Sequence, residues 1–216
     1  IYALIVMLMM ASVAFTGCLS DDEDDTDVDD TVEPVGEHAK STLDVIKERG
    51  SLKCGIKTSQ FGMGYLDSDT GVYSGLDVEY CRAVAAAIGL NPNTDIEYVV
   101  ASAGDRFTKL ANEDIDVLIR TTTWTTSRDA DLNADFAGIN FYDGQGMLVN
   151  LGAHEGADSI EDLNNAKICT TTGTTTEGNL ADYFTNAGLE YEVVGVSGDA
   201  QAKIKFVNED CTAWTG

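Results

Sequence analysis

The chain has 216 residues and a hydrophobic fraction of 44%, enough to bury the core of one large domain or two small ones. Its formal net charge of -24, from 37 acidic and 13 basic residues, leaves no basic stripe for phosphates and argues against a nucleic-acid partner. Ten of the acids fall between residues 21 and 37, and from residue 38 onward 27 acidic residues still face 13 basic ones, an excess that suits solubility or a saline habitat.

Residues 1–18, IYALIVMLMMASVAFTGC, form an apolar run of the length of a signal-peptide core or an anchor. Small Thr16 and Gly17 precede Cys18, which points to a lipoprotein signal whose cysteine thiol carries lipid; the plainer alternative is a membrane anchor with an incidental cysteine. Either places the folded part outside the cytoplasm, at the outer face of the cytoplasmic membrane or in a periplasm. The run lacks an initiator methionine and a basic leading segment, so the sequence is read as starting inside its own signal. Residues 19–40 repel themselves and read as a disordered tether. They lack the glycine and alternating spacing of a calcium loop.

With Cys18 set aside, Cys54, Cys81, Cys169 and Cys211 remain. An even number in an exported chain suggests disulfides, and three connectivities are open. No CxxC pair or histidine cluster occurs, with His38 in the tether and His154 in a loop, so neither metal nor cofactor is expected.

In chain order, STLDVIKERG (41–50) predicts a short helix with a capping box from Ser41 to Asp44 and Gly50 at its end. A strand follows at LKCGI, then a polar, glycine-rich stretch (57–75) that reads as a functional loop. A helix from Asp77 to Ile88, the strand DIEYVV, a helix in AGDRFTKLANED and the strand IDVLI complete a strand–helix alternation that calls for a parallel α/β sheet. After the loop RTTTWTTSRDADLNADFAG and an extended passage, INFYDGQGMLVNL, a second alternation begins. It comprises SIEDLNN (helix), KICTT (strand), a helix from Glu177 to Ala187 closed by Gly188, YEVVG (strand), DAQAKIKFVNED (helix) and CTAWTG (strand). Two such units joined by an extended segment predict two lobes, residues 41–150 and 151–216, around a cleft.

Ligands of open parallel sheets bind at the carboxyl ends of strands, and two loops lie there. In TTTGTTTEGN, Gly173 permits a turn, and Thr174 to Thr176 offer hydroxyls and free N–H groups to an anion at a helix start; ordinary threonine N-capping is the competing reading. In the other loop, Arg128 can hold a carboxylate through two parallel hydrogen bonds, whereas Arg120 reads as a solvated charge or surface ion pair and Trp124 as a core residue. No nucleophile–base pair and no GxSxG elbow emerges, which favours binding over catalysis.

The runs STLDVIKERGSLKCGI, GLDVEYCRAVAAAIG, RFTKLANEDIDVLIRTTTWTTSRD, DFAGINFYDGQGMLV and CTTTGTTTEGNLADYF, in this order over residues 41–216, resemble the extracytoplasmic solute-binding proteins of ABC transporters for polar and general L-amino acids. The resemblance implies a two-lobed, type II periplasmic-binding-protein-like flytrap, a monomer that closes on an L-amino acid and docks on a transporter permease. It implies that Thr121, Thr123 and Arg128 hold the ligand α-carboxylate, with Arg128 as ion-pair partner. Thr174 and Thr175 add an N–H or hydroxyl from the second lobe, Phe61 falls near where an aromatic covers the ligand, and Asp77 matches a structural acid. In such proteins an aspartate just after the strand corresponding to CTAWTG meets the ligand ammonium, and the chain then returns to the first lobe. The sequence is therefore read as a fragment with an incomplete second lobe. Resemblance and pattern together favour disulfides within lobes, Cys54 with Cys81 and Cys169 with Cys211. Two other readings remain for the same fold: a dehydratase of a cyclic amino-acid precursor, needing a general acid in the cleft, and the sensor domain of a membrane receptor.

Overall fold

The structure, a computed structural model, describes residues 40–132 and 134–216. The expected signal segment with Cys18, and the acidic tether up to Ala39, lie outside the described residues, as does His38. Among the described residues no helix is long and apolar enough to cross a membrane.

The first half opens with helix α1 (Thr42–Arg49), where Ser41 and Asp44 form the expected capping box and Gly50 closes the last turn in the left-handed region. Strand β1 (Leu52–Ile56) lies between β5 (Ile96–Val100) and β6 (Val117–Leu118) in a parallel sheet. Leu52, Cys54 and Ile56 alternate along β1 and so share one face, which is fully buried. Helix α2 (Leu76–Ala87) packs Val78, Cys81 and Ala85 onto β1 along one helical face. The N-cap of α2 is Gly75, with φ +113°, where a Cβ would collide with the Met63 carbonyl.

The stretch expected to be an irregular loop instead carries three short strands, β2 (Ser59–Gln60), β3 (Gly64–Leu66) and β4 (Tyr73–Ser74), paired antiparallel in a small sheet. Helix α3 (Arg106–Ala111) precedes β6, and α4 (Thr126–Asp131) lies within the segment read as a loop. The threonine that caps α4, Thr125, accepts from Arg128 N at 3.2 Å.

The second half is built on a four-stranded sheet ordered β7-β10-β8-β9, from β7 (Met147–Val149), β8 (Ala166–Thr171), β9 (Tyr191–Val196) and β10 (Ala213–Thr215). Strand β7 pairs antiparallel with β10, so by strand pairing the change of sheet comes before Met147, within the span expected for the first lobe. SIEDLNN forms a 3-10 turn at Ile160–Leu163. Helix α5 (Thr175–Ala187) buries Leu180 and Phe184 against β8, and Gly188 ends it. Helix α6 (Asp199–Val207) contributes Ala202 to a cluster with Cys169, Val196 and Cys211. Both bridges favoured by the sequence are present: Cys54–Cys81 ties β1 to α2, and Cys169–Cys211 lies in the second sheet's core.

Candidate functional site

The carboxyl ends of β1, β5 and β6 face those of β8, β9 and β10 across a cleft of about 830 Å³. Thr121, Thr123, Arg128, Thr174, Thr175 and Phe61 all line it, so the residues singled out from sequence converge in space.

On the first side, Arg128 sits in the opening turn of α4 and donates from Nη1 to the Thr123 carbonyl at 2.8 Å. Its guanidinium lies 5.6 Å from the centre of the Phe107 ring, an aromatic face that suits a cation. Thr123 Oγ1 is 3.1 Å from Thr175 Oγ1 on the opposite side. That contact joins two residues 52 apart in sequence, one of which, Thr123, also accepts from Arg128 through its carbonyl.

On the second side, Thr174 caps α5: its hydroxyl accepts from Glu177 N at 3.2 Å and donates to the Thr171 carbonyl at 2.7 Å. The Thr174 hydroxyl is thereby committed to the helix start, while the first turn of α5 presents its N–H groups and positive dipole end to the cleft. Gln145, in the segment joining the sheets, donates to the Thr176 carbonyl at 3.2 Å and to Thr215 Oγ1 at 2.9 Å and fixes that helix start against β10.

Two features depart from the sequence reading. Arg120 is not a solvated surface charge: it lines the cleft, donates from Nη1 to the Ala101 carbonyl at 2.6 Å, and burial lowers its pKa. Trp124 is not a core residue. It is 45% exposed and stacks on Phe136 with ring centres 5.4 Å apart, forming a flat cleft wall. Phe61, 86% exposed, stands at the rim edge-on to Tyr65.

Sequence reasoning missed Arg106 and Lys57. Arg106 is only 2% exposed, donates to the Ala103 carbonyl, and reaches the Gly173 carbonyl across the cleft at 3.4 Å. Burial, then the neighbouring Arg120 and Arg128 charges, lowers its guanidinium to about 10. The available signal was its position: a cation as the first residue of a helix opposes the macrodipole and needs another reason to be there. Lys57 forms an ion pair at 2.5 Å with Asp199, which opens α6 on the far side. Asp77 is fully buried with its pKa raised by that burial; Asn140 donates to it at 3.4 Å and the charges of Arg120 and Lys57 act in the opposite direction.

A cleft between two α/β sheets, with cations and hydroxyls at strand ends and helix starts, defines a class of two-lobed solute receptors. The profile of bacterial extracellular solute-binding proteins, family 3, matches residues 52–210. The chain belongs to that family, and its fold is of the type II periplasmic-binding-protein kind. It is 44% identical over 180 residues to the glutamate/glutamine/aspartate/asparagine-binding protein BztA of Rhodobacter capsulatus, an alignment covering 83% of this chain and 52% of the relative. It is 43% identical over 162 residues to the general L-amino acid-binding periplasmic protein AapJ of Rhizobium johnstonii, covering 74% and 46%. Among solved structures, an ABC transporter periplasmic binding protein from Brucella ovis with glutathione bound superposes with TM-score 0.76 at 43% identity, over 82% of this chain and 55% of that one. The chain thus spans about half the length of the curated relatives it matches.

Proposed function

We propose that this protein binds an L-amino acid outside the cytoplasm and delivers it to the permease of an ABC transporter, without chemical change to the ligand. The observation that carries this reading is the Thr123–Thr175 hydroxyl contact across the cleft, with Arg128 bonded to the Thr123 carbonyl. It supports a carboxylate held by the Arg128 guanidinium and the Thr121 and Thr123 hydroxyls on one side. Thr175, on the helix start organised by Thr174, would complete its shell from the other. Phe61 covers the ligand from the rim, and Trp124 and Phe136 line the wall beside it. The names of BztA and AapJ, binding proteins for amino acids, support the same ligand class, and the ABC transporter periplasmic binding protein of Brucella ovis supports a role in transport.

In this reading the contacts across the cleft, Thr123 to Thr175, Arg106 to Gly173 and Lys57 to Asp199, belong to the shut receptor, and a ligand that bridges both sides shifts the population toward it. The halves built on the β5-β1-β6 and β7-β10-β8-β9 sheets act as the two jaws. The receptor works as a monomer held at the outer face of the cytoplasmic membrane by lipid on Cys18, with the acidic segment as spacer. The test is calorimetric titration of the full-length protein with a panel of L-amino acids. Saturable binding of at least one is expected, and heat-silent titrations with all of them would refute the reading.

A further inference from the structure

Asp143–Gly144 is the one Asp-Gly step in the 216 residues, and no asparagine in the chain precedes a glycine. The step lies in the segment that joins the two sheets, and both of its residues are exposed. Among the described residues, no backbone N–H from Ala137 to Gln145 donates to a backbone carbonyl, so no helix or ladder bond restrains this peptide unit. The Asp143 side chain folds back on its own peptide link, where Gly144 N donates to Asp143 Oδ1 at 2.8 Å. That contact sets the amide nitrogen against the carboxyl carbon, and Gly144 has no Cβ to hinder the approach. Asp67, which precedes Ser68, is arranged differently: its Oδ1 accepts from Asp69 N at 2.9 Å and Thr70 N at 3.0 Å, which turns the carboxylate past the adjoining nitrogen.

We propose that Asp143 is a site of spontaneous isomerisation to isoaspartate. In the first step Gly144 N attacks Asp143 Cγ. An N–C bond forms, the C–OH bond of the protonated carboxyl breaks, and the hydroxyl leaves as water with the amide proton. Water then opens the cyclic succinimide. Addition at Cγ restores aspartate, whereas addition at the main-chain carbonyl carbon gives isoaspartate, in which the chain runs through Cβ and Cγ. Water is the only co-reactant, and nothing is oxidised or reduced. The product has one more main-chain atom between two anchored points. On one side Asn140 Nδ2 donates to the buried Asp77 carboxylate at 3.4 Å. On the other, Gln145 Nε2 donates to the Thr176 carbonyl at 3.2 Å and to Thr215 Oγ1 at 2.9 Å. A link lengthened between these anchors alters how the two halves meet. In the amino-acid-binding reading above, on which this consequence rests, the aged form releases its ligand faster.

The experiment ages the full-length protein and its Gly144→Val variant in warm neutral buffer for several weeks, with peptide mapping by mass spectrometry at intervals. A Cβ at this position meets nothing, and its φ lies outside the left-handed region, so valine keeps the fold and hinders the attack. In the parent, the peptide carrying Asp143 should split into forms of equal mass, the newer one resistant to an aspartate-directed protease, with a minor form lighter by one water. The variant should show neither, and Asp67 should stay intact. Absence of the isomer in the folded parent overturns the proposal, as does equal accumulation in the variant or at Asp67. Ligand release from the chromatographically separated aged form, followed by stopped flow, reads the consequence: an unchanged rate overturns the effect on closure. Failure of the fresh protein to bind any L-amino acid overturns the transport reading instead, and the peptide map is unaffected by it.

Discussion

The β5-β1-β6 side of the cleft contributes the cations Arg106, Arg120 and Arg128, whereas the β7-β10-β8-β9 side contributes threonine hydroxyls, the first turn of α5 and the Asp199 carboxylate, which pairs with Lys57. Full charges act over several ångströms, while a helix start attracts an anion chiefly within its first turn. In the proposed reading, an incoming carboxylate is captured by the arginine side, and the threonine side adds its share only when the jaws meet. The acidity of the chain sharpens the contrast, since from residue 38 on it is negative overall and the three arginines concentrate positive charge at the cleft.

The covalent frames of the two halves are the first place to test how independent they are. Replacing Cys54 and Cys81 by serine, or Cys169 and Cys211, should each lower the unfolding free energy of the full-length protein by about 3–4 kcal/mol, read by urea denaturation. The second bridge closes the longer loop, with a sequence separation of 42 against 27, so its loss should be slightly the greater. A much larger loss at Cys54–Cys81 would mean that the first sheet, with three strands, leans harder on its crosslink than the four-stranded one. A smaller effect is expected on the threonine side of the cleft. Thr175→Val removes one neutral hydrogen bond and should weaken amino-acid binding by only about fivefold, mainly through faster release as measured by stopped flow. A hundredfold loss there would make the two sides equal partners and break the comparison.

Much of this frame was legible in the chain. Ser41 with Asp44, Gly50 and Gly188 marked helix ends by local chemistry that tertiary contacts do not override. The pairs Cys54–Cys81 and Cys169–Cys211 were favoured by resemblance and pattern together, and both bridges are present. What escaped were features decided by distant contacts. Strands β2 to β4 are two or three residues long, too short for any periodicity. The pairing of β7 with β10 joins segments more than sixty residues apart. Arg106 and Arg120 looked like ordinary polar punctuation, because a long side chain can turn inward to backbone carbonyls without any sign in the residues around it. Trp124 was misplaced for a related reason: its partner is Phe136, across the end of α4, and the stacked pair forms a cleft wall instead of core.

The most direct test of the central claim, that Arg128 anchors the ligand, is a titration of the full-length protein and its Arg128→Ala variant with the tightest-binding L-amino acid. Removing a doubly hydrogen-bonding, charge-assisted partner should weaken binding at least about a hundredfold, while the thermal midpoint of the ligand-free protein stays close to that of the parent. An affinity within about threefold of the parent, well below the loss of one charge-assisted hydrogen bond, would contradict the account.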